Sequence, residues 1–172
     1  MPAMTGMGNG VADAGAMGLV MAVIAPLLAL YFSGHVAKIG RVLARHPALV
    51  LIAFVFDHAA LMAAMTGDWS PAWLTGLLRI SLVVIAVAFW LPVVDRVNGL
   101  GDAARVVYLF IAGPLLDLPA LYLIASGRSA AGIAMIVTML PIPLAAVAAV
   151  YSWMRREERD AVELQRLRES PS

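Results

Sequence analysis

The chain has 172 residues, 62% of them hydrophobic and 13% charged, with a mean hydropathy of +0.89. Soluble domains carry about a quarter charged residues, so this composition excludes an ordinary water-soluble fold and makes lipid the expected solvent. The absence of cysteine excludes disulfides, thiolate zinc sites, iron–sulfur clusters and cysteine nucleophiles, and a net charge of +1 gives no basis for nucleic-acid binding.

The chain opens on MPAMTGMG, with Met1, Met4 and Met7 ahead of a first apolar stretch over 16–33. Four more stretches follow, over 48–65, 72–94, 104–124 and 131–154. Each approaches the ~20 residues that a helix needs to cross the hydrocarbon core, and none alternates in polarity as a transmembrane strand would. The expected fold is all-α: a polytopic membrane bundle of five transmembrane helices over 1–154 with a short external N-terminal segment. A charged tail over 155–172 is expected to continue as a helix, with Arg159–Glu163 and Glu163–Arg166 at ion-pair spacing. No charged n-region precedes the first stretch, so it reads as a retained helix and not as a signal peptide.

Charge sets the expected orientation. Lys38, Arg41, Arg45, Arg96, Arg105, Arg155, Arg156, Arg159, Arg166 and Arg168 fall on one side of five crossings, and only Arg128 falls in a connection on the other. Basic residues concentrate in cytoplasmic loops, which puts the N-terminus outside and the C-terminus in the cytoplasm. Trp69 and Trp73 would then mark the outer interface, and Trp90 and Trp153 the inner one. His35 and His46 flank the first cytoplasmic loop and read as interfacial residues.

Ionisable residues inside membrane helices are costly and therefore informative. Asp57 and His58 lie in the second stretch, Arg79 in the third and Asp117 in the fourth. At ~1.5 Å per residue all four sit roughly 10–12 Å from the outer face. This predicts one intramembrane polar layer in which Arg79 neutralises Asp57, Asp117 or both, either as a helix fastener or as part of a site. Pro114 and Pro119 bracket Asp117, so its helix should bend at the acid.

Methionine supplies the second signal. Met17 and Met21, Met62 and Met65, and Met135 and Met139 each share a helix face on the outer half of the bundle. Thioethers are soft donors suited to Cu(I), and imidazole can complete such a set, which makes these six residues and His58 candidate copper ligands. Methionine is also a common apolar filler, and packing alone is the competing reading. No phosphate-binding Gly-rich loop, GxGxxG, HExxH or GxSxG occurs, so no enzyme is expected.

Several segments, taken in order, resemble the CtaG-like cytochrome c oxidase assembly factors: LVMAVIAPLLAL, RHPALVLIAFVFDHAAL, FWLPVVD, ARVVYLFIAGPLLDLPALYLI and WMRREER. The similarity spans roughly residues 16 to 160, rests on the order of the motifs, and places His58 on a family histidine. The chain departs from the family in having fewer spans, and in carrying Ala14, Gly18 and Arg79 around positions where the family has histidine pairs. The resemblance implies a multi-pass protein of the bacterial cell membrane that assists assembly of a haem–copper oxidase and handles Cu(I) on the outer side. Its partners would be membrane lipid and a subunit of that oxidase or another respiratory complex. The missing histidines motivate an alternative, a metal-free small subunit or scaffold of a larger respiratory complex. A third reading is a small transporter or proton pathway built on Asp57, Arg79 and Asp117.

Overall fold

The computed structural model describes residues 4–67, 70–95 and 97–169. Met1, Trp69 and Arg96 lie outside the described residues, and for Met4 and Met7 only the helical backbone is described. The first membrane segment is one long helical rod: α1 (Met4–Leu19), a π-helical turn (Val20–Ile24) and α2 (Ala25–Ser33). After it come α3 (Ala37–Arg45), α4 (Pro47–Thr66), α5 (Ala72–Val94), α6 (Asp102–Ala125), α7 (Ser129–Met139) and α8 (Pro141–Glu169). Five segments are long and apolar enough to cross a membrane: Gly10–Ser33, Pro47–Thr66, Ala72–Val94, Asp102–Ala125 and Ser129–Glu169. The protein is a multi-pass α-helical membrane bundle, as the hydropathy required.

Three details differ from the sequence reading. The first helix extends beyond the apolar stretch over 16–33, since α1 already runs from Met4. The first connection is not a plain loop, because it contains α3, a short amphipathic helix. The fifth segment is interrupted at Leu140, ahead of Pro141 and Pro143, which lack the N–H groups that a continuous helix would use.

The segments close a ring. α4 packs on α5, α5 on α2, α1 on α7, α7 and α8 on α6, and α6 back on α4. Lipid tails are as apolar as leucine side chains, so close packing through small residues must hold such a bundle together. The contacts follow that rule: Ala14, Ala22, Ala25, Ala29, Ala86, Ala112, Ala120 and Ala146 are all buried. At the α1–α7 crossing a side chain on Gly18 would run into Thr138 and the Met135 carbonyl. At the α6–α7 crossing one on Gly132 would meet the Ala120 carbonyl and Ile124. Both glycines are there because neighbouring backbones need that space.

One end of the ring gathers α3, the 95–101 turn, the start of α6 and the end of α8. The tail is helical to Glu169, as expected. The spaced partners Arg159, Glu163 and Arg166 form no ion pair among the described residues, however. The anchor is Arg156, which reaches Asp102 at 2.8 Å, and Arg105 joins the same carboxylate at 3.5 Å.

Candidate functional site

The two ends of the bundle are built differently, and the sequence motifs divide between them. At the cation-rich end, Phe89 stands at the centre of an aromatic group with Phe54 at 5.1 Å, Trp90 at 5.4 Å and Tyr108 at 5.0 Å between ring centroids. Trp90 is 3% exposed and turned into the bundle, which corrects its expected place in the interfacial belt.

The indole of Trp90 has a definite task. In the π-turn the Ala25 N–H donates to the Val20 carbonyl, one residue further back than in an α-helix, and Pro26 has no N–H. The Met21 carbonyl is therefore left without its helical donor. Trp90 Nε1 donates to it at 2.9 Å across the ring. The VMAVIAP and FWLP segments are thus tied to each other through Met21 and Trp90.

FWLP ends in a tight reversal capped by Asp95. Asp95 Oδ1 accepts the Val97 and Asn98 backbone N–H groups, each at 2.9 Å, and the Asn98 amide reaches Oδ2 at 3.3 Å. Burial pushes this carboxyl up, but these donors and nearby Arg41 outweigh it and hold the acid below its ordinary range. Leu100 N–H returns to the Pro92 carbonyl at 2.8 Å, and Gly99 lies so close to the Asp95 and Pro92 carbonyls that no side chain fits there.

The opposite end holds the residues singled out for chemistry, and the structure rearranges them. Arg79 does not meet Asp57 or Asp117. It pairs with Asp13 of α1 at 2.5 Å, and both side chains are partly exposed. Asp57 instead accepts the Ser81 hydroxyl at 2.9 Å. Asp117 has no ion pair or hydrogen bond among the described residues and lines a small cavity of about 30 Å³ with Met139, beside the break at Leu140. The expected single layer is therefore three separate arrangements: an α1–α5 ion pair, an α4–α5 hydrogen bond and a lone acid on α6.

The methionines also divide. Met17 and Met21 line one cavity of about 190 Å³ between α1 and α5, together with Leu82, Val83 and the Asp13–Arg79 pair. Met21, Met62, Met135 and Met139 are all buried in the apolar core, and Met17 and Met65 pack against it. His58 is fully buried, and neither ring nitrogen has a hydrogen-bond partner among the described residues. It does not line the Met17–Met21 cavity. No three His, Asp or Glu side chains cluster as a metal site among the described residues. Of the candidate donors, Met17 and Met21 are the pair that line one cavity together.

Asp13 and Ser81 were missed by the sequence reading because hydropathy placed Asp13 outside the first span. A signal was available: Asp13, Met17 and Met21 recur every four residues and so share one helix face. Comparison with family models, with curated proteins and with solved structures returns no match for this chain.

Proposed function

We propose that this chain is a non-enzymatic membrane accessory factor that handles Cu(I) during assembly of a haem–copper cytochrome c oxidase. The observation that carries the reading is the cavity shared by Met17 and Met21 beside the Asp13–Arg79 pair. Two methionine side chains lining one space offer soft donors, which suit a soft monovalent cation better than a hard one. The resemblance adds support, because the segments that carry it converge: Phe54, Phe89 and Tyr108 form one aromatic group, and Trp90 bonds the Met21 carbonyl of LVMAVIAPLLAL. In this reading the cation-rich end faces the cytoplasm of a bacterial cell and the cavity lies in the outer half, where copper would arrive.

Met17 and Met21 would hold the ion, and Met62, Met65, Met135 and Met139 would act as packing. His58 would contribute a neutral donor only if the bundle rearranges to bring it to the cavity. The test is copper content by mass spectrometry after purification in mild detergent with added Cu(I). About one copper per chain is expected for the two-thioether site. Met17→Leu/Met21→Leu should lose it, and Met135→Leu/Met139→Leu should retain it. Copper content independent of Met17 and Met21 would sink the proposal.

A second reading, a metal-free subunit or scaffold of a larger respiratory complex, is favoured by the tail. It projects beyond the ring with Val162, Leu164 and Leu167 52–68% exposed among its charges. Stable co-purification with a large complex, lost on truncation after Arg156 and unaffected by the methionine variants, would select it.

A further inference from the structure

The helix α3 has three distinct faces and no acidic residue. At about 100° per residue, Gly40 and Leu43 lie on one side, where Gly40 is buried and Leu43 packs against the core. A Cβ built on the buried Gly40 would lie 3.5 Å from Asp95 Oδ2. Ile39 and Val42 fall on a second face and are 55% and 56% exposed. Lys38, Arg41 and Arg45, spaced i, i+3 and i+7, fall within one narrow arc beside that apolar face.

The cations are not equivalent. Arg41 Nη2 donates to Asn98 Oδ1 at 2.8 Å, which fixes α3 against the 95–101 turn. Lys38 and Arg45 form no ion pair or hydrogen bond among the described residues, and both are exposed. Asp95, which lies against Gly40, is already taken up by Val97 and Asn98. α3 also joins the end of one membrane segment at Ser33 to the start of the next at Pro47, which places it at the level where hydrocarbon gives way to headgroups.

We infer that α3 is a binding site for an anionic phospholipid, with Ile39 and Val42 seated at the acyl boundary and Lys38 and Arg45 holding the headgroup phosphate. A helix with an apolar face, a cationic edge and a membrane boundary on either side is the form that binds in the interface plane. Charge complementarity selects an anionic lipid over a zwitterionic one. Lys38 and Arg45 lie about 10.5 Å apart along the axis, enough for a headgroup to bridge them. The tail is also rich in arginine but interleaves Glu157, Glu158, Asp160, Glu163 and Glu169, so it offers no comparable field. This inference does not depend on copper.

The test uses the full chain, kept metal-free with a chelator, in native mass spectrometry from detergent with equal phosphatidylglycerol and phosphatidylcholine. Wild type should retain phosphatidylglycerol preferentially. Each cation near an anionic headgroup contributes roughly a fivefold preference, so Lys38→Gln/Arg45→Gln should lower it by roughly 25-fold. Ile39→Ser/Val42→Ser should weaken retention of both lipids, and Arg159→Gln/Arg166→Gln should change neither. Equal retention of the two lipids by wild type, an undiminished preference in the Lys38/Arg45 variant, or loss of the preference in the tail variant would each overturn the assignment. Helical circular dichroism of every variant verifies that the substitutions act on lipid binding and not on folding.

Discussion

The two ends of this ring solve opposite problems. At the cation-rich end the polar groups that interrupt the apolar run are met: the Met21 carbonyl by Trp90, the Asp95 carboxylate by three donors, and Asp102 by Arg105 and Arg156. At the other end, among the described residues, one oxygen of Asp57 and both nitrogens of His58 are buried without partners, Asp117 stands alone, and the cavities beside Met17 and Met139 open. An unpartnered polar atom in a bundle costs free energy that packing elsewhere must offset. The difference separates a half that holds the bundle from a half free to accept something.

The largest effect should come from the holding half, at its clamp. Trp90→Phe keeps an aromatic side chain but leaves the Met21 carbonyl in a buried site with neither a helical donor nor an indole. The expected loss is about 2–3 kcal/mol, the cost of an unsatisfied buried acceptor together with a small void. Thermal unfolding in detergent measures it. A melting curve that superimposes on wild type would mean that the π-turn needs no clamp.

Asp95→Asn is the next largest. It replaces a charged acceptor of backbone N–H groups with a neutral one, and a loss of about 1.5 kcal/mol is expected. The pH dependence follows from the sign of the shift. The folded-state pKa lies below the ordinary value of about 3.9, so this stabilisation is complete above that value and is lost as pH falls through the folded pKa. Wild type should therefore lose stability at the acid end of a titration, and Asp95→Asn should lose correspondingly less there. Identical acid limbs in the two proteins would remove Asp95 as the cause.

The membrane bundle was legible in the sequence because hydropathy reports burial in lipid directly, and the third stretch coincides with α5. The partners of the polar residues were not legible. Depth along each helix placed Asp57, His58, Arg79 and Asp117 at one level, but level says nothing about which way a side chain points around its axis. Arg79 faces α1 and finds Asp13, while Asp57 lies against Ser81 of the same α5. α3 was missed because nine residues with three cations fail any test of hydropathy, although their periodicity distinguishes an interfacial helix from a loop. The clamp on Met21 was beyond reach, since it depends on a π-turn that only the packed ring reveals.

At the open end the sign of the expected effect reverses. His58→Leu removes two unpartnered nitrogens from a fully buried position and fills the space with a side chain of similar size. Stability should be unchanged or rise by up to about 1 kcal/mol. A loss of that size would mean that the imidazole has a partner in the native membrane, and the contrast between the two ends would narrow.

The smallest effect should come from the ion pair at the cavity. Arg79 and Asp13 have side chains 46% and 33% exposed, so the bundle encloses neither of them. A double-mutant cycle of Asp13→Asn and Arg79→Gln should give a coupling below about 1 kcal/mol, as for other partly exposed pairs. Either single variant leaves the other residue at reduced depth-dependent cost, well under the ~2.5–3.5 kcal/mol of a charge at the membrane centre. A larger coupling would make the pair a fastener of α1 to α5 and extend the holding function to this end. A small coupling with altered access of a methionine-directed alkylating reagent to Met17 and Met21 would make it a movable rim. In that case the open end differs from the closed one in what its charges do as well as in what its cavities contain.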